Sequence, residues 1–349
     1  IKPDIIEDSG VNEISETNEY ISEEARKKAR IVTKKSIFVT CIGSIGKIGI
    51  ASAGEYAFNQ QINAIVPNEK VQSKYLAYNL LYNKPRLVAM ANAPVVPIIN
   101  KRQFGEFIVN IETDIGRQVK IVNVLDRLTH IIRLSKQELE KLDELIKARF
   151  VEMFGDPVSN SRGLPEATLP ELGEFGRGVS KHRPRNDPKL LGGKYPLIQT
   201  GDVASADLYI TSYTGTYSDL GLAQSKMWDE GTLCITIAAN IAKTAILGFD
   251  ACFPDSVVGF RANEKTNNIY IHYWFSFFQR ILEAQAPESA QKNINLKSLS
   301  ELRVIYPTKE EQDAFAAFVA EVDKSKVAVQ KALDETQTLF DSLMQEYFG

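Results

Sequence analysis

Gln118–Gly155 reads QVKIVNVLDRLTHIIRLSKQELEKLDELIKARFVEMFG. Apolar residues fall at Ile121, Leu125, Leu128, Ile132, Leu139, Leu142 and Ile146, in alternating steps of four and three with one skip at Ser135. A stripe of period about 3.5 kept over about four heptads is a coiled-coil seam rather than an ordinary amphipathic face. No Gly or Pro interrupts it before the closing Phe154-Gly155, where glycine suits a helix C-cap. About 37 residues at about 1.5 Å each make a rod of about 55 Å.

The end of the chain repeats the register at Phe315, Val319, Val322, Val329, Leu333, Phe340 and Leu343, with Lys326 and Thr336 as exceptions. Outward from the rods, the whole chain is written twice. Ile99-Asn100, Glu106 and Val109 recur as Ile294-Asn295, Glu301 and Val304, each 195 positions later. Ile45, Lys47 and Ile50 match Ile241, Lys243 and Ile246, while Gln118 and Phe154-Gly155 match Gln312 and Phe348-Gly349. A period this long marks a domain duplication, because solenoid repeats run at roughly 20–50 residues. The copy ending at Gly155 has 155 residues against 194 for Asp156–Gly349, so the first copy is expected to lack its opening segment.

Before each rod, short apolar runs alternate with Gly, Asn and Asp turns, as strands do. Ser36–Thr40, Ile62–Val66, Phe107–Ile111, Thr232–Thr236 and Leu302–Tyr306 are the predicted strands, with helices at Val71–Tyr82 and Ile269–Ala284. The expected fold class is mixed α/β (α+β), a pseudo-twofold internal repeat. Its parts are a first mixed domain at 1–112, a first long helix at 113–155, a second mixed domain at 156–307 and a second long helix at 308–349. The economical arrangement pairs the helices antiparallel, seam to seam, with a domain at each end. The alternative is that each long helix buries against its own domain.

An apolar fraction of 44% fills a core in each half, and a net charge of −3 neither requires nor excludes nucleic acid. Cys41, Cys234 and Cys252 form no CxxC pair and suit reduced packing residues in a cytoplasmic protein. No apolar run approaches the roughly 20 residues that cross a bilayer, so no membrane partner is expected.

Catalytic motifs are missing. Gly43-Ser44-Ile45-Gly46-Lys47-Ile48-Gly49 imitates a phosphate loop, but Cys41 stands where a Walker glycine belongs and no Ser or Thr follows the lysine. The second copy, Ala239–Ala245, has lost the glycines, so both stretches read as strand turns carrying Lys47 and Lys243. His130, His182 and His272 have no metal-ligand spacing, and His272 in its apolar helix reads as a satisfied core residue. No catalytic residue and no metal site are expected.

The loop from Gly176 to Lys194 carries Arg177, Lys181, His182, Arg183, Arg185, Lys189 and Lys194 against a single acid, Asp187. Arginine forks suit phosphates and guanine edges. A solvated charged loop is the bland alternative, and the duplicated architecture tips the balance. Amides at strand ends, Asn59-Gln60-Gln61 and Ser289–Asn293, are equally base readers or turn formers.

In order, and in part twice, these stretches carry a resemblance. They are Phe175–Arg183, Tyr195–Val203, the Thr236–Ile246 turn, Phe253–Gly259, Asn293-Ile294-Asn295, the Glu311-Gln312 rod start and the rod end Phe150–Gly155. Over essentially all its length the chain resembles the DNA-specificity subunits of type I restriction–modification systems. Its opening departs from them. Ile1–Ile6 is similar to a weaker Ile198–Val203, so a counterpart of the basic loop is lacking in the first domain.

The resemblance implies two target-recognition domains reading a split double-stranded DNA site, separated by an antiparallel coiled coil that sets the gap. The expected DNA contacts are Arg177, Lys181, His182, Arg183, Arg185, Gln199, Asn240, Lys243 and Gln291 in the second domain. In the first they are Ser44, Lys47, Gln60 and Lys101. The chain itself would be non-catalytic and bind no cofactor. By resemblance its partners are two methyltransferase (modification) subunits and the restriction subunits, which use S-adenosylmethionine, ATP and Mg. A protein–protein scaffold with two similar modules is the rival reading, and a DNA-processing enzyme would need an acidic cluster or cofactor loop that the sequence lacks.

Overall fold

The computed structural model describes residues 1–91, 96–238, 241–285 and 294–349. The chain forms two compact units, one from Ile1–Leu139 with Val327–Gly349, the other from Glu140–Lys326. Among the described residues no helix is long and apolar enough to cross a membrane.

The first unit holds a four-stranded sheet in the order Val11–Ile14, Ile48–Ala51, Ile37–Thr40, Ile62–Ile65. The first pair is parallel and the other two antiparallel. All four residues of Ile37–Thr40 are buried, because both faces of the sheet are covered. Ile37, Val39, Ile48 and Ile50 pack against Leu76 and Leu80 of the helix Ser73–Tyr82. Phe38 and Ala51 face Ile6, Ile14, Tyr56 and Ile62. Burial on both faces explains why the two central strands, Ile37–Thr40 and Ile48–Ala51, read as near-continuous apolar runs without alternation.

The second unit repeats the sheet and adds an edge strand, in the order Tyr209–Ile210, Thr244–Leu247, Leu233–Thr236, Val257–Ala262, Gly173–Arg177. Again the first pair is parallel and the rest antiparallel. Register is kept as well as order: Ile37 faces Ile50 and Ile65, and Leu233 faces Ile246 and Phe260. A second sheet is built from Gly215–Tyr217, Leu191–Leu197, Ala251–Cys252 and Met227–Trp228. The predicted buried helix is found at Asn268–Gln285.

One predicted strand is absent. Val304–Ile305 pairs antiparallel with Glu166–Ala167, but Phe107–Ile111 is irregular. A strand exists only where a partner satisfies its backbone, and among the described residues nothing pairs with Phe107–Ile111.

The long helices are Ile115–Phe154 and Lys309–Phe348. Every predicted seam residue is buried or half-buried, and so are the three exceptions Ser135, Lys326 and Thr336. Inside the first unit Ile121, Val122 and Leu125 share one cluster with Met344 and Phe348, together with Tyr75 and Tyr78. Inside the second, Ile146, Phe150 and Phe154 join Phe315, Val319 and Val322. In each unit, then, the start of one helix lies beside the end of the other, so the two run antiparallel. Phe154, the last residue but one of the first repeat, packs on Tyr270 with ring centroids 5.2 Å apart. Phe348 packs on Tyr75, also at 5.2 Å.

Candidate nucleic-acid interface

The same turn is built in both units. Thr40 Oγ1 accepts the Lys47 N–H at 3.0 Å, the Thr40 N–H donates to the Lys47 carbonyl at 3.1 Å, and the Gly46 N–H donates to the Thr40 carbonyl at 2.9 Å. In the second unit Thr236 Oγ1 accepts the Lys243 N–H at 3.0 Å, and the two matching backbone bonds measure 2.9 and 2.8 Å. Residue 46 has φ +80° and residue 242 has φ +56°. Glycine takes this left-handed conformation freely, whereas Ala242 holds it at a cost of about 1 kcal/mol. The glycine-rich stretch is therefore a strand turn stapled by a threonine hydroxyl. Ser44 is exposed at its tip, Lys47 is half-buried and Lys243 exposed.

The four candidates of the first unit gather around the main chain of Cys41. Its N–H donates to the Gln61 carbonyl at 2.8 Å, next to exposed Gln60, and its carbonyl accepts the Ile99 N–H at 2.9 Å. Two residues further on, exposed Lys101 opens the helix Lys101–Gly105, whose cap Asn100 accepts the Gln103 N–H at 2.9 Å. The repeated Ile-Asn pair is thus a buried anchor followed by a helix cap. In the second unit Ile237 donates to the Ser256 carbonyl and accepts from Ile294, both at 3.0 Å, and Asn295 caps Leu296–Ser300. Asp255 therefore stands where the first unit has Gln60.

The basic loop rises beside this turn. Its entry, Gly178, donates to the Val257 carbonyl at 2.9 Å. A Cβ there would lie 2.2 Å from the Phe253 carbonyl oxygen and 2.5 Å from that of Pro254, so only glycine fits. Gln224 Oε1 accepts the N–H groups of Lys181 at 2.7 Å and His182 at 3.0 Å. Ser225 Oγ donates to the Val179 carbonyl at 2.8 Å. Arg183 donates to the carbonyls of Ser180 at 2.6 Å and His182 at 2.9 Å. Asp255 receives Arg185 directly, with Arg183 Nη2 at 3.5 Å from its other oxygen.

His182 Nε2 lies 3.1 Å from Asp187. The Lys189 N–H, bonded to the Asp187 carboxylate, and then His182 beside it hold that carboxyl below its ordinary range. Arg177 and Lys181 are exposed, and neither side chain makes a hydrogen bond or ion pair with a described residue. Gln199, also exposed, caps the helix Thr200–Ser205. Asn240 and Gln291 lie outside the described residues.

Sequence reasoning missed Gln224 and the role of Asp255. The position of Asp255 just before a repeated strand, matching Gln60, was a usable signal; Gln224 offered none. His272 is the satisfied structural residue expected, though half-buried rather than fully enclosed: its ring is hydrogen-bonded to Thr244 Oγ1 at 3.0 Å, and burial pulls its pKa down to about 4. Among the described residues no cluster of His, Cys, Asp and Glu is arranged to hold a metal ion.

Comparison with known proteins gives a consistent picture. The family model for the type I restriction modification DNA specificity domain matches residues 4–144 and 166–336. A protein of Methanocaldococcus jannaschii described as a type I restriction enzyme MjaX specificity subunit is 21% identical, over 92% of this chain and 80% of its own length. Among solved structures, the S subunit of a type I restriction-modification system from M. genitalium has TM-score 0.57 at 16% identity, covering 100% of this chain and 91% of that one. A chain from a study of complex assembly and conformational transition in a type I R-M system has TM-score 0.56 at 15% identity, covering 91% and 83%. At such identities the structural likeness speaks for the fold.

Proposed function

This chain belongs to the type I restriction modification DNA specificity family, and from that premise we propose that it reads a bipartite DNA site, one half-site with each unit, as a non-catalytic subunit. The observation that carries the reading is the turn built twice with the same bonds, around Thr40 and around Thr236. Each turn presents a lysine beside polar strand ends, and the second unit adds the cationic loop. Two related readers with different side chains at matched positions suit two different half-sites. Affinity comes chiefly from Lys and Arg on phosphates, and discrimination from side chains at base edges. The proposed contacts are those expected from the sequence, including Asn240 and Gln291.

Chemistry on this reading belongs to partners in the cytoplasm: methyltransferase subunits using S-adenosylmethionine and restriction subunits using ATP and Mg. Exposed Ile131, Leu134, Leu145 and Val151 on the first long helix supply apolar surface of the kind a partner covers.

Methylation mapping by long-read sequencing, in cells carrying this chain with its modification subunit, tests the proposal. Two short specific blocks around a fixed gap are expected. No motif at all, with partner expression verified, would rule the reading out and leave the two-module scaffold.

A further inference from the structure

Six cations in one loop look interchangeable in the sequence, but their surroundings divide them. Arg183 and Arg185 share one carboxylate, Asp255, whose side chain is 31% exposed. The side chains of Arg177 and Lys181, in contrast, bond to no described residue. Asp255 itself sits on a stiff base. The Val257 N–H closes a turn onto the Pro254 carbonyl at 3.0 Å, and Gly178 lies backbone to backbone against Phe253 and Pro254. Gln224 braces the opposite flank of the loop through Lys181 and His182.

We propose that Asp255 is a positioning residue that sets sequence discrimination: it holds Arg183 and Arg185 as a preformed pair for base edges and keeps them off the phosphates. The inference rests on the DNA-reading function proposed above. Two guanidiniums on one carboxylate leave a net single positive charge, so the trio still draws DNA. Each guanidinium has five N–H donors in a fixed fork, and one carboxylate occupies few of them. An arginine free to swing binds phosphate, which every sequence offers alike. An arginine fixed in orientation meets only bases that present acceptors where its fork points. Arg177 and Lys181, whose side chains pair with no described residue, are assigned to phosphates. The matched position in the first unit is Gln60, which is neutral.

The test uses the full chain with its modification subunit and two duplexes, one carrying the mapped motif and one with the second block scrambled, titrated across salt concentrations. For Asp255→Asn the expected result is tighter binding to the scrambled duplex. Its plot of log affinity against log salt should steepen by about 0.9 for each phosphate gained. Preference for the motif should fall about tenfold. Arg177→Ala with Lys181→Ala should weaken both duplexes alike, flatten the slope and leave the preference unchanged. Arg183→Lys with Arg185→Lys, which keeps charge but loses the fork, reads the same idea if Asp255→Asn misfolds; preference should drop with little change in slope.

Preference unchanged in a folded Asp255→Asn or in the lysine pair overturns the inference while leaving the DNA-reading function intact. Equal weakening of both duplexes by the lysine pair also overturns it, because it makes the arginines phosphate contacts. Absence of any preference in the unaltered complex removes the proposed function itself, and the inference with it.

Discussion

Gln118 and Gln312 show what a repeated residue is for. Each is fully buried at the start of a long helix. Gln118 Nε2 donates to the carbonyls of Glu112 at 2.7 Å and Lys70 at 3.2 Å, while its Oε1 accepts the Gln72 N–H. Gln312 Nε2 donates to Pro307 at 2.9 Å and Lys265 at 3.0 Å, and its Oε1 accepts from Thr266. A buried amide persists only when it is paired, and these two clamp each domain's loops to its rod. His272 makes the residue-scale prediction. With its pKa pulled down to about 4 by burial, it stays neutral in the folded chain below pH 6.5, where the unfolded chain takes up a proton. Its contribution is complete above about pH 6.5 and is lost as pH falls towards 4. The loss approaches about 3 kcal/mol if the ring stays dry, and less to the extent that water reaches it. Urea denaturation at pH 7 and pH 5 should show a smaller difference for His272→Gln than for the unaltered chain. Equal differences would mean the ring is protonated in place.

At the element scale, the seam tolerates one charge because neighbouring elements meet it. The Lys326 side chain is 9% exposed, between Asp143 of the first long helix at 2.7 Å and Asp207 of the second unit's domain. Burial opposes its charge, yet hydrogen bonds to the two carboxylates prevail and its pKa moves up. The carboxylates are 50% and 68% exposed, so they regain water when the lysine is removed, whereas the ammonium cannot. Lys326→Met should therefore change stability by no more than about 1 kcal/mol in either direction. Asp143→Asn with Asp207→Asn should cost about 3 kcal/mol. A reversed order in unfolding midpoints would mean that the lysine, not its surroundings, carries the stability. Elements that close locally were legible in the sequence: the seam period and the lysine-bearing turns at Gly43–Gly49 and after Thr236. Phe107–Ile111 was misread because a strand is a property of two segments, and a propensity is a property of one.

At the scale of the whole molecule, repeat and packing unit do not coincide. The sequence repeats end at Gly155 and Gly349, but Phe154 is buried among residues of the second unit and Phe348 among those of the first. Neither repeat can bury its own closing aromatic, which predicts that a chain cut after Gly155 exposes Phe150 and Phe154 and can recover partners for them only from another copy. On the proposed function, rod length fixes the spacing of the half-sites. Seven residues added to both long helices, in register, lengthen the seam by about 10 Å, or about three base pairs at about 3.4 Å each. Methylation mapping should then find both blocks unchanged and the gap longer. An unaltered gap would separate the rods from any role in spacing.

The sequence by itself determined what repeats and what is periodic: two mixed domains, two long helices, a lysine-bearing turn in each copy, and a seam with Lys326 as its one charge. These are legible because burial along a helix or strand imprints a period on neighbouring residues. The tertiary structure alone decided which partners those residues meet. Asp255 reaches Arg185 across 70 residues, and Gln224 reaches Lys181 across 43. Contacts closed by a distant return of the chain leave no period in the sequence. That is why a loop read as cationic holds two arginines tied to a carboxylate beside an arginine and a lysine whose side chains bond to no described residue.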